Sequence, residues 1–398
     1  MHQVGLVGKP NVGKTTFFAA ATLAEAKIAP YPFTTIDSNR GIAYVKVRCV
    51  CRDFGVVDNP RNSLCINGFR FVPVELIDVA GLVPGAWEGR GLGNRFLDEL
   101  RRAPVLIHVV DASGSTDIEG RPISLGEHNP VEDVIFLEKE IDMWMKSILK
   151  RNWREIVRKS YKNVIEAFYE KLSGLGIARS CIEEALNNLD LAKKKLDVWN
   201  DDDILSFVRY IRGKAKPMVI AANKADLPTA EDYIRELKRK FPNLVVIPTA
   251  AAAELALRKA AKAKLIEYIP GDKDFRIIDE KKLTEKQMKA LEYIRENVLK
   301  RWGSTGVQDA INAAFLKLLR MIVVFPVEDE NKLTDRKGNV LPDAFLVPNS
   351  TTARDLAYLI HSELGDKYIG ALDVKTKRRY PTESPLYHRQ VIKILVRR

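Results

Sequence analysis

The sequence predicts an α/β protein in which helices wrap a mostly parallel sheet, a helical segment is inserted into the sheet domain, and a small α+β domain follows. Three observations predict this architecture. Short apolar runs alternate with helical stretches, about a hundred residues between 110 and 217 have a helical pattern throughout, and short β-like runs begin at Ile322–Phe325. A chain of 398 residues is long enough for two or three such domains.

Six short apolar runs predict the strands of the sheet. Because helical stretches separate most of them, a mostly parallel arrangement is favoured. A polar turn region around Asp58–Asn62 separates the second run from the third. The six runs are Val4–Val7, Gly41–Val50, Phe71–Ile77, Val105–Val110, Pro217–Ala222 and Leu244–Ile247.

The inserted segment is predicted to contain two antiparallel amphipathic helices that form a coiled-coil-like hairpin. Apolar residues recur at three- and four-residue steps on both sides of the turn Ser173–Gly176, and Pro130–Ile148 reads as a preceding helix. The first set is Val157, Tyr161, Val164, Phe168 and Leu172, and the second is Ile182, Leu186, Leu189, Ala192 and Leu196.

Helical stretches follow the last predicted strand, at Glu254–Ala263 and Glu285–Leu319. The C-terminal β-like runs enclose one helix at Thr352–Leu364, and Ser350, Thr351 and Thr352 offer hydroxyl groups for its N-cap. The predicted boundaries are residues 1–113 and 214–270 for the sheet domain, 114–213 for the insert, 271–320 for a helical extension and 321–398 for a separate C-terminal domain.

Composition narrows the class of protein. No run of about 18 apolar residues is present, and the N-terminus lacks the pattern of a signal peptide, so neither a membrane span nor secretion is expected. The four cysteines are few for the length, which is typical of a reducing cytosol and favours a cytoplasmic location. The net charge of +12 favours a polyanionic partner such as RNA or a ribosome, and DNA is not expected.

Three of the cysteines, Cys49, Cys51 and Cys65, lie close together in the sequence. Such a group can bind a metal ion. However, no histidine or fourth cysteine is nearby, so the sequence favours structural thiols.

Residues 8–15 fit the pattern G-x-x-x-x-G-K-[ST], and they follow a predicted strand and precede a helical run. In such a P-loop, glycines let backbone N–H groups surround phosphates, and the helix N-terminus adds a positive dipole. Lys14 is predicted to reach the β- and γ-phosphates, and the Thr15 hydroxyl to bind Mg²⁺. The predicted nucleotide contacts here are Gly8, Lys9, Pro10, Asn11, Val12, Gly13, Lys14, Thr15 and Thr16.

Three further predicted motifs follow strands. Asp78 is placed to hold Mg²⁺ through water, and the Gly81 N–H to sense the γ-phosphate. Asn223, Lys224 and Asp226 form an N-K-x-D motif, in which the carboxylate accepts both the N1–H and the N2–H₂ of guanine and thereby rejects adenine. After the last strand, a backbone N–H of Ala250 or Ala251 is expected to contact guanine O6.

Two segments are predicted to change conformation with the nucleotide: Pro30–Ile36, which contains two prolines, and the glycine-rich stretch Leu82–Gly93. Thr35, or alternatively Thr34, would complete the Mg²⁺ shell when a γ-phosphate is present. Together with Lys14 and Gly81, which are predicted to contact the phosphates, Thr35 forms the predicted catalytic set. Leu82 stands where other GTPases often carry a water-orienting glutamine, so backbone, an ion or a partner must position the water. Asn11 is a candidate ligand for K⁺.

These residues together resemble the Obg–HflX superfamily of GTPases. The likeness rests on Gly8–Thr15, Tyr31–Thr35, Asp78–Ala86 and Gly91–Leu97. Within it the chain resembles the YchF-related branch, which carries a helical insertion at the same point and a C-terminal TGS domain with a β-grasp fold. The resemblance implies hydrolysis of a nucleoside triphosphate and association with ribosomes. YchF itself favours ATP and has a degraded base motif, whereas Asn223, Lys224 and Asp226 are intact here, so GTP is expected.

Two basic segments are candidate RNA contacts. The first arm of the insert, Lys146–Lys171, has eight Lys or Arg and three Glu with aromatic residues between them. The C-terminal tail, Lys375–Arg398, has eight Lys or Arg and one Glu. For the arm, the alternative to RNA contact is that its charges form a solvated helix face and its aromatic residues pack in the core. For the tail, the alternative is that its lysines lie at a strand edge and oppose aggregation. Three functions stay open: a GTPase switch on a ribosome or RNA assembly, a YchF-like ATPase, and a binding module with negligible turnover. A monomer is slightly favoured.

Overall fold

The structure is a computed structural model of the full chain, and it describes residues 1–22, 39–79, 85, 87 and 99–397. The strands are β1 Gln3–Val7, β2 Arg40–Arg48, β3 Leu64–Ile66, β4 Phe69–Asp78, β5 Leu106–Asp111, β6 Met218–Asn223, β7 Val245–Pro248, β8 Ile266–Glu267, β9 Arg276–Ile277, β10 Met321–Val327, β11 Phe345–Pro348, β12 Tyr368–Asp373, β13 Arg378–Tyr380 and β14 Gln390–Val396.

The described α-helices are α1 Lys14–Thr22, α2 Cys51–Phe54, α3 Pro130–Arg151, α4 Trp153–Ser160, α5 Val164–Leu172, α6 Arg179–Asn188, α7 Asp201–Ala215, α8 Ala230–Lys240, α9 Ala251–Lys262, α10 Glu285–Ile294, α11 Lys300–Trp302, α12 Val307–Asn312, α13 Ala353–Ile360 and α14 Ser362–Asp366. Short 3₁₀ turns lie at Ser173–Leu175, Leu191–Lys193, Leu196–Val198 and Glu280–Lys282. Two π-helical turns, Arg295–Leu299 and Ala313–Leu318, continue α10 and α12.

The main sheet is mostly parallel, as predicted. Its order is β2-β4-β1-β5-β6-β7, with β2 antiparallel to β4 and the short strand β3, which the apolar pattern did not predict, paired with β4. Both faces of this sheet are covered. In β6, for example, Ile220 and Ala222 pack with α3, α7 and α8, whereas Val219 and Ala221 pack with α1, α9 and α12. A strand buried on both faces reads as a continuous apolar run, which explains why the predicted strands are found within a residue or two.

The insert is helical, as predicted, but its two arms are not continuous helices. The first arm ends at Ser160 and restarts at Val164, where the side chain of Asn163 caps α5 by accepting from the Glu166 N–H. Tyr161 falls in this break and is 71% exposed, so its predicted place on the apolar stripe is wrong.

An aromatic cluster holds the short helices of the insert together. The rings of Phe168 and Phe207 are 4.6 Å apart between centroids, and Trp153 and Trp199 pack against Phe168 at 6.3 and 5.7 Å. These residues belong to the same hydrophobic core as one face of the main sheet. The insert is therefore a compact helical layer on the sheet domain, and a coiled-coil-like hairpin does not describe it.

The predicted helix Glu285–Leu319 is interrupted between α11 and α12. Gly303 and Gly306 have φ values of +83° and +79°, which favour glycine. A Cβ on Gly306 would lie 2.0 Å from the carbonyl oxygen of Pro248, so the chain passes directly beside the end of β7. This turn brings α11 and α12 next to the carboxyl edge of the main sheet.

The C-terminal domain contains a five-stranded sheet of order β11-β10-β14-β12-β13 with α13 packed on one face. Thr352 caps α13 in a reciprocal arrangement with Asp355, as the hydroxyl-rich start predicted. The other face is not separate from the rest of the protein, because Val323 and Phe325 of β10 share a hydrophobic cluster with β2 and β4. The predicted domain boundaries stay predictions.

Among the residues that the structure describes, no helix combines the length and the apolar character that crossing a membrane requires.

Candidate functional site

The predicted motifs meet at one edge of the main sheet. The P-loop follows β1, and Asp78, Asp111 and Asn223 are the last residues of β4, β5 and β6. The pairings Leu6 with Asp78 and Asp111 with Asn223 place these ends side by side. Ligands of open α/β sheets bind at this carboxyl edge, so the site is where the topology predicts it.

The P-loop requires glycine at two positions because neighbouring atoms occupy the space of a side chain. A Cβ on Gly13, where φ is +92°, would lie 2.2 Å from Asn223 Nδ2, and one on Gly8 would lie 2.5 Å from the Val109 carbonyl oxygen. Helix α1 begins at Lys14, so its unpaired N–H groups follow the loop directly. The loop thus has the backbone of a phosphate cradle.

Lys14 is paired with Asp78. Its ammonium group donates to an Asp78 carboxylate oxygen and, at 2.7 Å, to the carbonyl oxygen of Val79. Both side chains are half-buried, and Thr15 is exposed in the first turn of α1. The structure therefore brings together a cation for phosphate and a carboxylate for Mg²⁺. Thr34, Thr35 and Gly81, the remaining predicted Mg²⁺-binding and catalytic positions, lie outside the described residues, and so does Leu82.

Lys9, a predicted nucleotide contact, has a different role. Its side chain is 2% exposed and donates to Asp133 Oδ1 at 2.8 Å and to the Thr116 carbonyl oxygen at 3.0 Å. His128 Nε2 lies 2.8 Å from the same carboxylate oxygen. Because this ammonium group is bound inside the protein, only the backbone of Lys9 is left for a phosphate.

The rest of the P-loop is held by its neighbours. Pro10 has no N–H, and its carbonyl oxygen lies so close to Gly120 that a Cβ there would be 2.5 Å away. Asn11, at φ +61°, donates from Nδ2 to the Gly120 carbonyl oxygen at 2.9 Å, and Val12 is fully buried. Thr16 is half-buried in the first turn of α1.

Asn223 connects three loops of the site. Its Nδ2 donates to the Val12 carbonyl oxygen at 2.8 Å, and its Oδ1 accepts from the Ala251 N–H at 3.0 Å. Asn223 is buried, so both ends of its amide are satisfied away from water. This side chain fixes the P-loop relative to the base motif and to the start of α9.

Lys224 is paired with Asp111, a residue that the sequence analysis did not single out. Lys224 Nζ lies 2.7 Å from Asp111 Oδ2 and 3.0 Å from Ser115 Oγ, and its φ is +60°. Burial alone opposes the charge of Asp111, but hydrogen bonds from Lys224 and Ser113 outweigh it and lower the pKa of Asp111. Asp111 could have been noticed as a carboxylate that directly follows a predicted strand.

Asp226, the predicted base-selecting carboxylate, is half-buried. The hydroxyl of Tyr293 lies 3.3 Å from its Oδ2, and Trp302 Nε1 donates to the Ala225 carbonyl oxygen at 3.0 Å. Tyr293 and Trp302 belong to the helical segment after the sheet domain, and nothing in their sequence pattern indicated contact with the base motif.

The predicted O6 contacts are not available in this structure. The Ala250 N–H donates to the Thr305 carbonyl oxygen at 2.9 Å, and the Ala251 N–H donates to Asn223. The local sequence around Ala250 could not predict this contact, because the Gly303–Gly306 turn places Thr305 beside the end of β7 only in the folded protein. The N–H of Ala252 is in the first turn of α9, where helical N–H groups have no intrahelical acceptor.

The fold and the site define a P-loop protein of the guanine-nucleotide-binding class. That class is marked by the glycine cradle with Lys14, the carboxylate of Asp78 on the adjacent strand, and an N-K-x-D loop at the same sheet edge.

Comparison with known families and structures agrees with this class. Residues 3–141 match the model described as 50S ribosome-binding GTPase, residues 221–329 match that of the Obg-like GTPase YGR210-like, G4 motif-containing domain, and residues 336–396 match the TGS domain. An uncharacterized GTP-binding protein of Methanocaldococcus jannaschii is 53% identical over 99% of both chains. A crystal structure of a GTP binding protein from Pyrococcus horikoshii is 41% identical, with a TM-score of 0.79 over all of both chains.

A more distant relative, the ribosome-binding ATPase YchF of Buchnera aphidicola, is 26% identical over 93% of this chain and 88% of its own length. The chain belongs to the Obg-like, YchF-related family of GTP-binding proteins with a C-terminal TGS domain. This confirms the resemblance that the motifs predicted.

The contrast between the two P-loop lysines can be tested. We expect Lys14→Ala to weaken GDP and GTP binding at least tenfold in calorimetry. Its effect on the free energy of unfolding should be smaller than that of Lys9→Ala, because the Lys14 and Asp78 side chains are 13% and 18% exposed and those of Lys9 and Asp133 only 2% and 3%. Lys9→Ala should instead lower the free energy of unfolding by about 3–5 kcal/mol, because it leaves Asp133 buried without its cation.

The control for Lys9 is the double variant Lys9→Met with Asp133→Leu, which removes both charges and should regain most of the lost stability. If Lys9→Ala left stability unchanged and reduced nucleotide affinity as much as Lys14→Ala, the assignment of Lys9 to a buried ion pair would be wrong.

Proposed function

We propose that this protein binds GTP with Mg²⁺, hydrolyses it to GDP and phosphate, and uses the bound nucleotide to switch its association with a ribosome or another RNA assembly. The observation that carries the proposal is the meeting of the Lys14–Asp78 pair and the Asp226 loop at one sheet edge, where Asn223 joins that loop to the P-loop and to the start of α9. A cytoplasmic location follows from the ribosome as partner and is proposed with it.

Guanine selection is assigned to Asp226. A half-buried carboxylate that meets N1–H and N2–H₂ of guanine gains two hydrogen bonds, and adenine offers no such pair of donors. The Tyr293 hydroxyl lies 3.3 Å from Asp226 Oδ2, so Tyr293 would have to share or release this carboxylate when a base binds. A contact between guanine O6 and the Ala252 N–H, or an Ala251 N–H released by Asn223, completes the proposed recognition.

The residues around the phosphate cradle fit a magnesium–nucleotide complex. Lys14 and Asp78 neutralise one another in the structure, and a phosphate group and Mg²⁺ would offer each a partner of opposite charge. Thr15 and Asp78 would hold the ion, directly and through water, with Thr35 as the third proposed group. The ion, when bound, neutralises charge on the phosphate oxygens. Lys14 would then exchange its hydrogen bond to the Val79 carbonyl oxygen for one to a phosphate oxygen.

Hydrolysis without a glutamine at position 82 needs another way to place water. Asn11 is the proposed ligand for a K⁺ ion that would stabilise charge in the transition state. Its Nδ2 is held by the Gly120 carbonyl, which leaves Oδ1 as the acceptor for a cation. Because no glutamine stands at position 82 to orient the water, we expect hydrolysis to be slow in the absence of a partner.

The ribosome as partner is supported by the names of the matching family model and of the Buchnera relative, and by the net charge of +12. The basic arm of the insert supports it less than its composition indicates. Lys146, Lys150, Lys159 and Lys171 are paired with carboxylates, and Trp153 and Phe168 are in the core. Arg154, Arg158 and Lys162, with the exposed ring of Tyr161, are the part of this arm that we propose for RNA.

The alternative of a YchF-like ATPase rests on the name of that relative. The intact Asn223, Lys224 and Asp226 oppose it, because together they form the N-K-x-D motif to which we assign guanine selection. A nucleotide-stabilised module with negligible turnover is the other alternative, and kinetics separate it from a switch.

Base selection can be tested with Asp226→Asn. The amide would present a donor to a base edge where guanine offers donors, so GTP affinity should fall at least a hundredfold, and xanthosine triphosphate, which has a carbonyl in place of the amino group, should gain affinity. Wild-type protein should prefer GTP over ATP by at least a hundredfold in competition with a fluorescent GDP. Equal affinity of the wild type for ATP and GTP would support the ATPase instead.

The switch can be tested by co-sedimentation with ribosomes from the same organism. We expect more protein in the ribosome pellet with a non-hydrolysable GTP analogue than with GDP, and single-turnover GTP hydrolysis should be faster with ribosomes and in K⁺ than in Na⁺. Sedimentation that does not depend on the nucleotide would contradict the switch, and equal turnover in the two salts would exclude the role of K⁺.

A further inference from the structure

A cluster of four metal-ligating groups lies at the end of β4 opposite to the nucleotide site. The thiols of Cys49, Cys51 and Cys65 and a carboxylate oxygen of Asp58 all lie within 4.8 Å of one another. Cys49 and Cys51 are buried, and Cys65 and Asp58 are half-buried. The sequence favours structural thiols because no histidine or fourth cysteine is nearby, but the fold brings Asp58 from the polar turn beside the three thiols as a fourth group.

The separation of two of the thiols fits tetrahedral coordination. The Sγ atoms of Cys51 and Cys65 are 3.9 Å apart, and Cys49 Sγ is 3.1 Å from Asp58 Oδ2. Two thiolates at tetrahedral positions around Zn²⁺, each about 2.3 Å from the ion, are about 3.8 Å apart, whereas a disulfide requires about 2.05 Å. The observed sulfur separation therefore matches shared binding to one ion.

Each ligand is held by a different piece of local structure. Cys49 follows β2, and its N–H donates to the Gly68 carbonyl oxygen at 2.8 Å. Cys51 begins α2, and Cys65 lies on β3, which pairs with β4. Four groups that converge from a strand end, a helix, a turn and a hairpin do not result from one local sequence pattern.

Arg70 supplies the outer contact that such a site needs. It is fully buried, pairs with Asp58 Oδ2 at 2.6 Å and also donates to Ser63 Oγ and to the Leu341 carbonyl oxygen. Three thiolates and a carboxylate around a divalent ion leave two negative charges, and a buried guanidinium offsets one of them. Hydrogen bonds from outer residues to ligating carboxylates are a regular feature of metal sites.

We propose that Cys49, Cys51, Cys65 and Asp58 bind one Zn²⁺ ion as a structural site. Sulfur-rich tetrahedral donor sets favour Zn²⁺ over Mg²⁺ or Ca²⁺, and four protein ligands leave no position for a substrate. Arg70 and Asp78 are eight residues apart on β4, which corresponds to about 25 Å of extended strand, so the ion has no part in the nucleotide chemistry.

The function of the ion is to stabilise the contact between the sheet domain and the C-terminal domain. The turn between Asp58 and Cys65 carries most of the described backbone contacts to that domain: the Asn59 N–H donates to Val340, and the Arg61 N–H donates to Pro342 at 2.7 Å. Asn62 exchanges two hydrogen bonds with Ala344. An ion that binds both ends of this turn would order it in the conformation that pairs with residues 340–344.

The test uses the full-length protein, purified without chelators under reducing conditions. We expect about one zinc per chain by elemental mass spectrometry, and Co²⁺ added to the apo-protein should give the visible bands of tetrahedral thiolate coordination. The bound ion should protect three of the four thiols from a thiol reagent, and removal by a strong chelator should expose them and lower the midpoint of thermal unfolding.

Variants locate the ion. Cys65→Ser should lose it and Asp58→Asn should bind it at least tenfold more weakly, whereas the matched control Cys181→Ser, in α6 of the insert, should keep a full complement. If Cys65→Ser does not fold, the Co²⁺ spectrum and thiol protection of the wild type still decide. No tetrahedral spectrum with all four thiols reactive, or a Cys51–Cys65 disulfide found by mass spectrometry, would overturn the proposal.

Discussion

The proposed nucleotide site depends on the side-chain amide of Asn223. It donates to the P-loop at Val12 and accepts from the first N–H of α9, and Gly13 must lack a side chain for it to fit. Because the amide is buried, loss of either bond would leave an unsatisfied polar group in the core. The parallel sheet brings the loops to one edge, and this amide sets their spacing.

The insert and the segment after the sheet stabilise the same arrangement from two sides. Residues 113–128 hold the P-loop through Lys9 and Asn11, and they hold the base loop through Ser115 and Lys224. From the other side, Trp302 donates to Ala225, and Thr305 accepts from Ala250. Segments that look like additions to a GTPase domain thus contribute directly to the shape of its site.

Much of this could be predicted from the sequence. Six of the seven strands of the main sheet, the P-loop, Asp78 and the N-K-x-D loop can be identified from the sequence because periodicity and short motifs are local, and a parallel sheet places strand ends together. Contacts between distant segments were not predictable. The buried pair of Lys9 with Asp133, the acceptors of Ala250 and Ala251, and the fourth group of the cysteine cluster each join residues that only the fold brings together. Tyr161 was misplaced because helical spacing continued through a break capped by Asn163.

The most direct test of this account is the GDP affinity of Asn223→Ala, measured by calorimetry beside Asn188→Ala, which removes an exposed amide in the insert. Asn223→Ala leaves the Val12 carbonyl oxygen and the Ala251 N–H without their partner, at a cost of about 1–3 kcal/mol each. Because the loops then lose the spacing that this amide sets, we predict at least a tenfold weaker affinity for GDP in Asn223→Ala and no change in the control. A wild-type affinity in Asn223→Ala would contradict the claim that this amide assembles the site.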